Sequence, residues 1–215
     1  MRAAMYIDGF NLYYAVNDLE ENFLKWVNLW HIAEQLIPKQ SEQLVKVVFC
    51  TAYYPGDTGK RVRHERFKQA LEFFGVECVF GHYIQQPMSC HDCGHEWSMA
   101  TEKETDINVA LALFDDAYQD IFDHAYLLSA DSDQAATARM FKTRFPDKRL
   151  TSVAPPGREP SKNVMAFANA KIKLSPDHLE RAVMPGMIET PNGLIVRPHE
   201  YDPPPGWVHP KDRPA

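Results

Sequence analysis

The sequence predicts an α/β domain with three layers, built on a central, mostly parallel β-sheet. Three observations predict it. Short runs rich in β-branched and aromatic residues recur along the 215 residues. Between them, apolar residues fall at the helical spacing i, i+3, i+4, i+7. Carboxylates follow several of the runs, and the carboxyl edge of a parallel sheet is where ligands bind.

Residues 4–8 (Ala-Met-Tyr-Ile-Asp) read as a buried strand, Gly9 turns the chain, and a helix begins near Asn11. Residues 44–52 read as a second strand, followed by a loop at Pro55, Gly56 and Gly59. Over 62–74, Phe67, Ala70, Leu71 and Phe74 keep the helix period, and Gly75 stops it. Residues 76–84 read as a third strand, followed by a polar insert at about 85–100 that carries Cys90 and Cys93. From Thr105 to about Tyr118, Ile107, Ala110, Leu111, Phe114 and Ala117 predict a helix. Residues 124–130 make a fourth strand, and Asp131-Ser132-Asp133 breaks it and opens a helix through Phe141. Residues 149–154 make a fifth strand and 171–174 a short sixth.

These elements predict a domain over 1–175 and an extension over 176–215. The extension holds nine of the sixteen prolines. It reads as a short helix from Asp177 to Val183 and then an extended tail, because Pro203, Pro204 and Pro205 are stiff and lack donors. Met187, Ile188, Leu194, Ile195 and Val196 predict that part of the tail docks on the same chain.

The 45% hydrophobic content suffices for a core, and no apolar run is long enough to span a bilayer. The N-terminal residues lack a signal-peptide pattern, so a cytoplasmic location is expected. Four cysteines in such a protein do not imply a disulfide framework. The net charge of -6 gives no average attraction for a phosphate backbone. Two local basic runs counter it: Lys60, Arg61, Arg63, Arg66, Lys68, and Arg139, Lys142, Arg144, Lys148, Arg149. The first is the better candidate for phosphate contact. Arg61 and Arg63, with Tyr54 for stacking and Lys103 in the acidic segment, are the expected substrate contacts.

Asp8 ends the first strand, Asn11 follows one turn later, Asp131 and Asp133 follow the fourth strand, and Asp106 opens a helix four residues after Glu102. Converging carboxylates repel one another and need cations or protons. Hard oxygen donors suit Mg²⁺ or Mn²⁺, which can bind a phosphodiester and activate water. Asp106, Asp131 and Ser132 also read as plain helix N-caps. Asp8 has no such role evident from the sequence.

Tyr6-Ile7-Asp8-Gly9-Phe10-Asn11-Leu12-Tyr13 resembles the opening motif of NYN-domain proteins, the LabA-like/DUF88 group of the PIN superfamily. Glu102-Lys103-Glu104-Thr105-Asp106-Ile107-Asn108-Val109-Ala110 is similar to a second segment of that family, and Ser129-Ala130-Asp131-Ser132-Asp133 to a third. The motifs come in the family order and are specific together. Ala130 stands where Asn is common, which leaves the carboxylates intact. The resemblance implies a Rossmann-like PIN/NYN fold and a metal-dependent endoribonuclease acting on single-stranded or structured RNA. By position it implies Mg or Mn binding by Asp8, Asp106, Asp131 and Asp133. It implies that Asn11 orients a water or phosphate and that Ser129 supports the site.

Cys90-His91-Asp92-Cys93-Gly94-His95 is half of a zinc-ribbon pattern, since the knuckle turn needs a residue with positive φ after the second cysteine. A structural zinc is expected on Cys90 and Cys93. Its other ligands are open among His82, His91, His95 and, more remotely, Cys78. Two other functions compete: an RNA-binding or regulatory module that cleaves nothing, and a small-molecule phosphohydrolase. A phosphoaspartyl mechanism is disfavoured because Phe10 follows Asp8 by two, and there is no phosphate-binding Gly-x-x-x-x-Gly-Lys-Ser/Thr loop. A homo-oligomer is compatible with everything above.

Overall fold

The first strand, β1 (Arg2–Asp8), has Ala3, Ala4, Met5, Tyr6 and Ile7 all fully buried. A strand apolar on both faces belongs in the middle of a parallel sheet, covered on both sides. The computed structural model, which describes residues 1–214, places it there. Helix α1 (Gly9–Asn17) follows directly. Gly9 is required at the turn, because a Cβ there would lie 2.4 Å from the carbonyl oxygen of Cys50.

Helix α2 (Leu29–Leu36) was not anticipated, although Asn28 caps it and Leu29, Ile32, Ala33 and Leu36 give it a buried face. Strand β2 (Gln43–Thr51), helix α3 (Thr58–Phe73) and strand β3 (Glu77–Phe80) come next. The expected single strand over 76–84 is two elements. Gly81 separates β3 from β4 (His82–Ser89), which pairs only with β5 (Glu96–Lys103) as an antiparallel hairpin outside the main sheet. The backbones cross so closely that a Cβ on Gly81 would meet the carbonyl oxygen of Lys103 at 2.4 Å. The polar insert is therefore this hairpin, from His82 to Lys103.

Helix α4 (Thr105–Tyr118), strand β6 (His124–Leu128), helix α5 (Gln134–Arg144), strand β7 (Arg149–Ala154), helix α6 (Lys162–Met165) and strand β8 (Ala170–Lys173) complete the main unit. The six main strands are all parallel, in the order β3-β2-β1-β6-β7-β8. One face buries Met5, Ile7 and Phe49 against Leu12, Leu29 and Ile32. The other buries Tyr6, Val48 and Leu127 against Val109, Leu113 and Phe141. This is the expected three-layer architecture.

The C-terminal segment is more structured than an extended tail. Helix α7 (Pro176–Arg181) leads into strands β9 (Met187–Thr190) and β10 (Gly193–Val196), which form a hairpin. Ile188 and Met184, with Ile195 and Tyr201, pack around Trp26 and Ala70. The Trp26 indole N–H donates to the Pro185 carbonyl at 3.0 Å, and Val27 bridges to Val183. Among the described residues, no helix is long and apolar enough to cross a membrane.

Candidate acidic cleft

β1 and β6 lie side by side and end together, so their last residues meet at the carboxyl edge. Asp8 is only 2% exposed there. One carboxylate oxygen accepts the Asn11 N–H at 3.0 Å and the other accepts the Ser129 hydroxyl at 2.9 Å. Asp8 thus caps α1, a role the sequence did not reveal. Burial pushes its pKa up, opposed by the Asn11 and Ser129 hydrogen bonds, with the Asp131 charge adding to the rise.

The connection after β6 is tied to the same centre. The Ala130 N–H donates to Asn11 Oδ1 at 2.9 Å, the Asp131 N–H to Ser129 Oγ at 3.0 Å, and the Asp133 N–H to Asp131 Oδ1 at 2.9 Å. Asn11 and Ser129 therefore organise both strand ends. Asp133 occupies the N-cap position of α5 without a side-chain capping bond and stays exposed.

Asp106 sits in the first turn of α4 and is not its cap. The capping work falls to Glu102, whose Oε1 accepts the Thr105 N–H at 2.9 Å and the Thr105 hydroxyl. Glu104, at the N-cap position, has φ 78, a left-handed conformation unusual for a residue with a Cβ. Gln134 of α5 donates to the Asp106 carbonyl at 3.2 Å, which binds the two helix starts together. Burial raises the Asp106 pKa to about 6, and Asp8, Asp131, Glu102 and Asp133 add like charge.

Asp8, Phe10, Asn11, Tyr14, Glu102, Asp106, Ala130, Asp131 and Arg158 line one cleft of about 410 Å³. Asp133 does not line it. Arg158 was missed: it reaches the cleft from the loop after β7 and pairs with Asp18 of the α1 C-terminus. Nothing in the local sequence marks it, because only the crossover brings that loop to β1. A concavity of about 450 Å³ at the opposite edge, lined by Met1, Arg2, Glu42 and Asp123, has Arg2 and Asp123 already tied together at 2.7 Å.

The donor chemistry of the cleft is that of a hard divalent cation. Among the described residues, no three His, Cys, Asp or Glu side chains stand close enough together to enclose one ion. An ion there would take one or two carboxylates and keep water in its remaining positions, which is the usual manner of Mg²⁺. The residues present fit such a group and not a closed protein cage.

The expected substrate contacts are dispersed. Arg61 lies over the Tyr53 ring at 5.7 Å and beside Glu65 at 3.8 Å. Tyr54 is exposed, with Lys60 5.5 Å over its ring. Arg63 is instead engaged with Glu200 of the C-terminal segment at 2.7 Å, because that segment docks on α3. Lys103 is exposed at the base of the hairpin, and Ser129 is buried beneath Asp8.

The expected zinc set does not assemble within one chain. Cys90 and Cys93 stand at the tip of the β4–β5 hairpin, but His82 is at its base, opposite Lys103 and 3.1 Å from Glu104. At about 3.3 Å per residue, the eight-residue separation puts His82 roughly 26 Å from Cys90. His95 stacks on Trp97 at 6.1 Å, and Cys78 packs against the core.

A parallel α/β sheet with an acidic cleft at its carboxyl edge is the arrangement of the PIN-like nuclease superfamily. The NYN domain model matches residues 2–174, and the chain belongs to that family. NYN-family nucleases act on RNA and generally use divalent metals. The chain is 22% identical over 210 residues to 6-hydroxy-3-succinoylpyridine 3-monooxygenase HspA of Pseudomonas putida (strain DSM 28022 / S16), a match covering 80% of this chain and 66% of that protein. The crystal structure of a protein of unknown function from Vibrio parahaemolyticus RIMD 2210633 shares the fold, with TM-score 0.54 and 19% identity over 81% of this chain and 93% of that one.

Proposed function

We propose that the chain is a metal-dependent endoribonuclease that cuts single-stranded RNA in the acidic cleft with Mg²⁺ or Mn²⁺. The observation that carries this reading is the set of carboxylates from three separate elements, Asp8, Asp106 and Asp131, lining one cleft with Glu102 and Arg158. One or two of Asp8, Asp106 and Asp131 would hold the cation, with water in its remaining positions. A bound divalent ion supplies an activated water and stabilises charge on the leaving oxygen. Asn11 and Ser129 hold the carboxylates in place, and Arg158, on leaving its pair with Asp18, would bind the non-bridging phosphate oxygens. Water attacks phosphorus and the phosphorus–oxygen bond to the leaving strand breaks, so the products are two RNA ends.

A continuous set of rings supports a single-stranded substrate. Tyr54 meets Tyr83 at 5.5 Å, Tyr83 meets Phe10 at 6.2 Å, Phe10 meets Tyr14 at 6.4 Å, and Tyr14 meets Tyr13 at 5.5 Å. Lys60 lies over the first ring and Lys25 over the last. Unpaired bases stack on such rings while lysines follow the backbone.

The test is cleavage of labelled single-stranded RNA with Mn²⁺ or Mg²⁺, beside an Asp8→Asn variant and a chelator control. The reading predicts cleavage that needs the metal and is lost in the variant. RNA binding without cleavage would favour the non-catalytic module. Absence of both would favour a phosphohydrolase of small molecules.

A further inference from the structure

The cleft and its rings use the base of the β4–β5 hairpin, through Glu102 and Tyr83, and leave its outer half unaccounted for. Its strands pair only with each other, and a two-stranded ribbon is marginal unless something packs on it. Directly opposed residues of an antiparallel pair share a face. The register Ile84↔Thr101, Gln86↔Met99, Met88↔Trp97 therefore puts Ile84, Met88, Trp97 and Met99 on one side. Ile84, Trp97 and Met99 are 40%, 43% and 47% exposed.

The tip has the build of a thiolate knuckle. The Gly94 N–H donates to the Cys90 carbonyl at 3.0 Å, and the Cys90 N–H donates to the His95 carbonyl at 2.8 Å. Gly94 turns the chain at φ 68. A closed backbone turn with a left-handed glycine after the second cysteine is the shape of a zinc-thiolate knuckle. A closed zinc site takes four ligands, and each tip offers two. Among the described residues no third His, Cys, Asp or Glu completes a group there.

Two independent features, half a ligand shell and an uncovered apolar face on the same hairpin, call for the same occupant. We propose that the hairpins of two copies of this chain pack together and share one tetrahedral zinc, held by Cys90 and Cys93 of each copy. The four thiols release their protons to solvent as the zinc binds, so no oxidant or reductant enters. This inference is independent of what the acidic cleft does.

The test is zinc content and solution mass of the full chain purified without chelator, with a Cys90→Ser/Cys93→Ser double variant and a Trp97→Glu variant alongside. The expected result is one zinc per two chains at the mass of two chains. The double variant should carry no zinc and fall to half that mass while keeping its circular dichroism. Trp97→Glu, which keeps every thiol, should shift the equilibrium toward the single chain. Cobalt substituted for zinc should give the spectrum of four thiolates. One zinc per single chain, no zinc uptake by the reduced protein titrated with Zn²⁺, or a dimer that survives in the double variant would each overturn the proposal.

Discussion

Burial, and after it the charges of Asp8, Asp131, Glu102 and Asp133, raise the Asp106 pKa to about 6, against an ordinary value of 3.8. Between those two values the folded chain holds more protons at Asp106 than the unfolded chain does. Stability contributed by the protonated form is full below the lower value and is lost as pH rises through the upper one. At neutral pH the charge is a liability to folding and an asset to cation binding. An Asp106→Asn variant should therefore unfold at a higher temperature in the absence of metal. After solvent screening the gain is about 1 kcal/mol, or about 2–4 °C for a chain of this size, read by thermal unfolding above pH 7. A lower Tm would contradict the electrostatic account. Asp8, Asp106 and Asp131 could be picked from the sequence because each stands at a break between a strand and a helix. The cap on α1 supplied by Asp8 and the arrival of Arg158 could not, because both depend on where neighbouring segments pass.

Elements were legible where periodicity was uninterrupted. β1 and β6 are examples, each buried continuously, whereas α4 is a helix as expected but buries Val109, Leu113 and Ala117 and leaves Ile107 and Leu111 exposed. The run Val76–Ile84 misled because its residue types suit a strand throughout, and the one signal of a break was Gly81. Helix α2 has a clear apolar face at Leu29, Ile32, Ala33 and Leu36, but it is short and follows an irregular stretch. The C-terminal hairpin was masked by proline content, although Ile188 and Ile195 pack around Trp26, while Met187, Leu194 and Val196 stay exposed. That indole is fully buried and joins the segment before α2 to Pro185. Trp26→Ala should cost about 3–5 kcal/mol, as large aromatic truncations in cores do. The midpoint of urea unfolding should fall accordingly. A change under about 1 kcal/mol would mean that the C-terminal segment does not rest on this ring.

At the scale of the whole molecule, a chain of net charge -6 must draw RNA in by local charge. Arg63 is committed to Glu200, and Lys148 of the second basic run is committed to Asp120 at 2.6 Å. Lys60, over the exposed Tyr54 ring, and Arg61, over the half-buried Tyr53 ring, remain the best placed. A Lys60→Glu/Arg61→Glu variant should bind single-stranded RNA more weakly whatever its sequence. The slope of log affinity against log salt should become shallower by about 0.7 for each phosphate that the variant no longer neutralises. An unchanged slope would place the RNA path elsewhere. The fold class was readable at this scale from alternating element types alone. The engagement of Arg63 was not, because its partner Glu200 lies in the distant C-terminal segment.

The central claim is that the cleft lined by Asp8, Asp106 and Asp131 binds a divalent cation, with Asp106 among its ligands. Calorimetric titration with Mn²⁺ tests it most directly, on protein carrying Cys90→Ser/Cys93→Ser so that the hairpin thiols take no part. The account predicts binding that weakens as pH falls through about 6, where Asp106 takes up a proton, and that is abolished in an Asp106→Asn variant of the same protein. Mn²⁺ binding that is indifferent to both the pH and the substitution would contradict it.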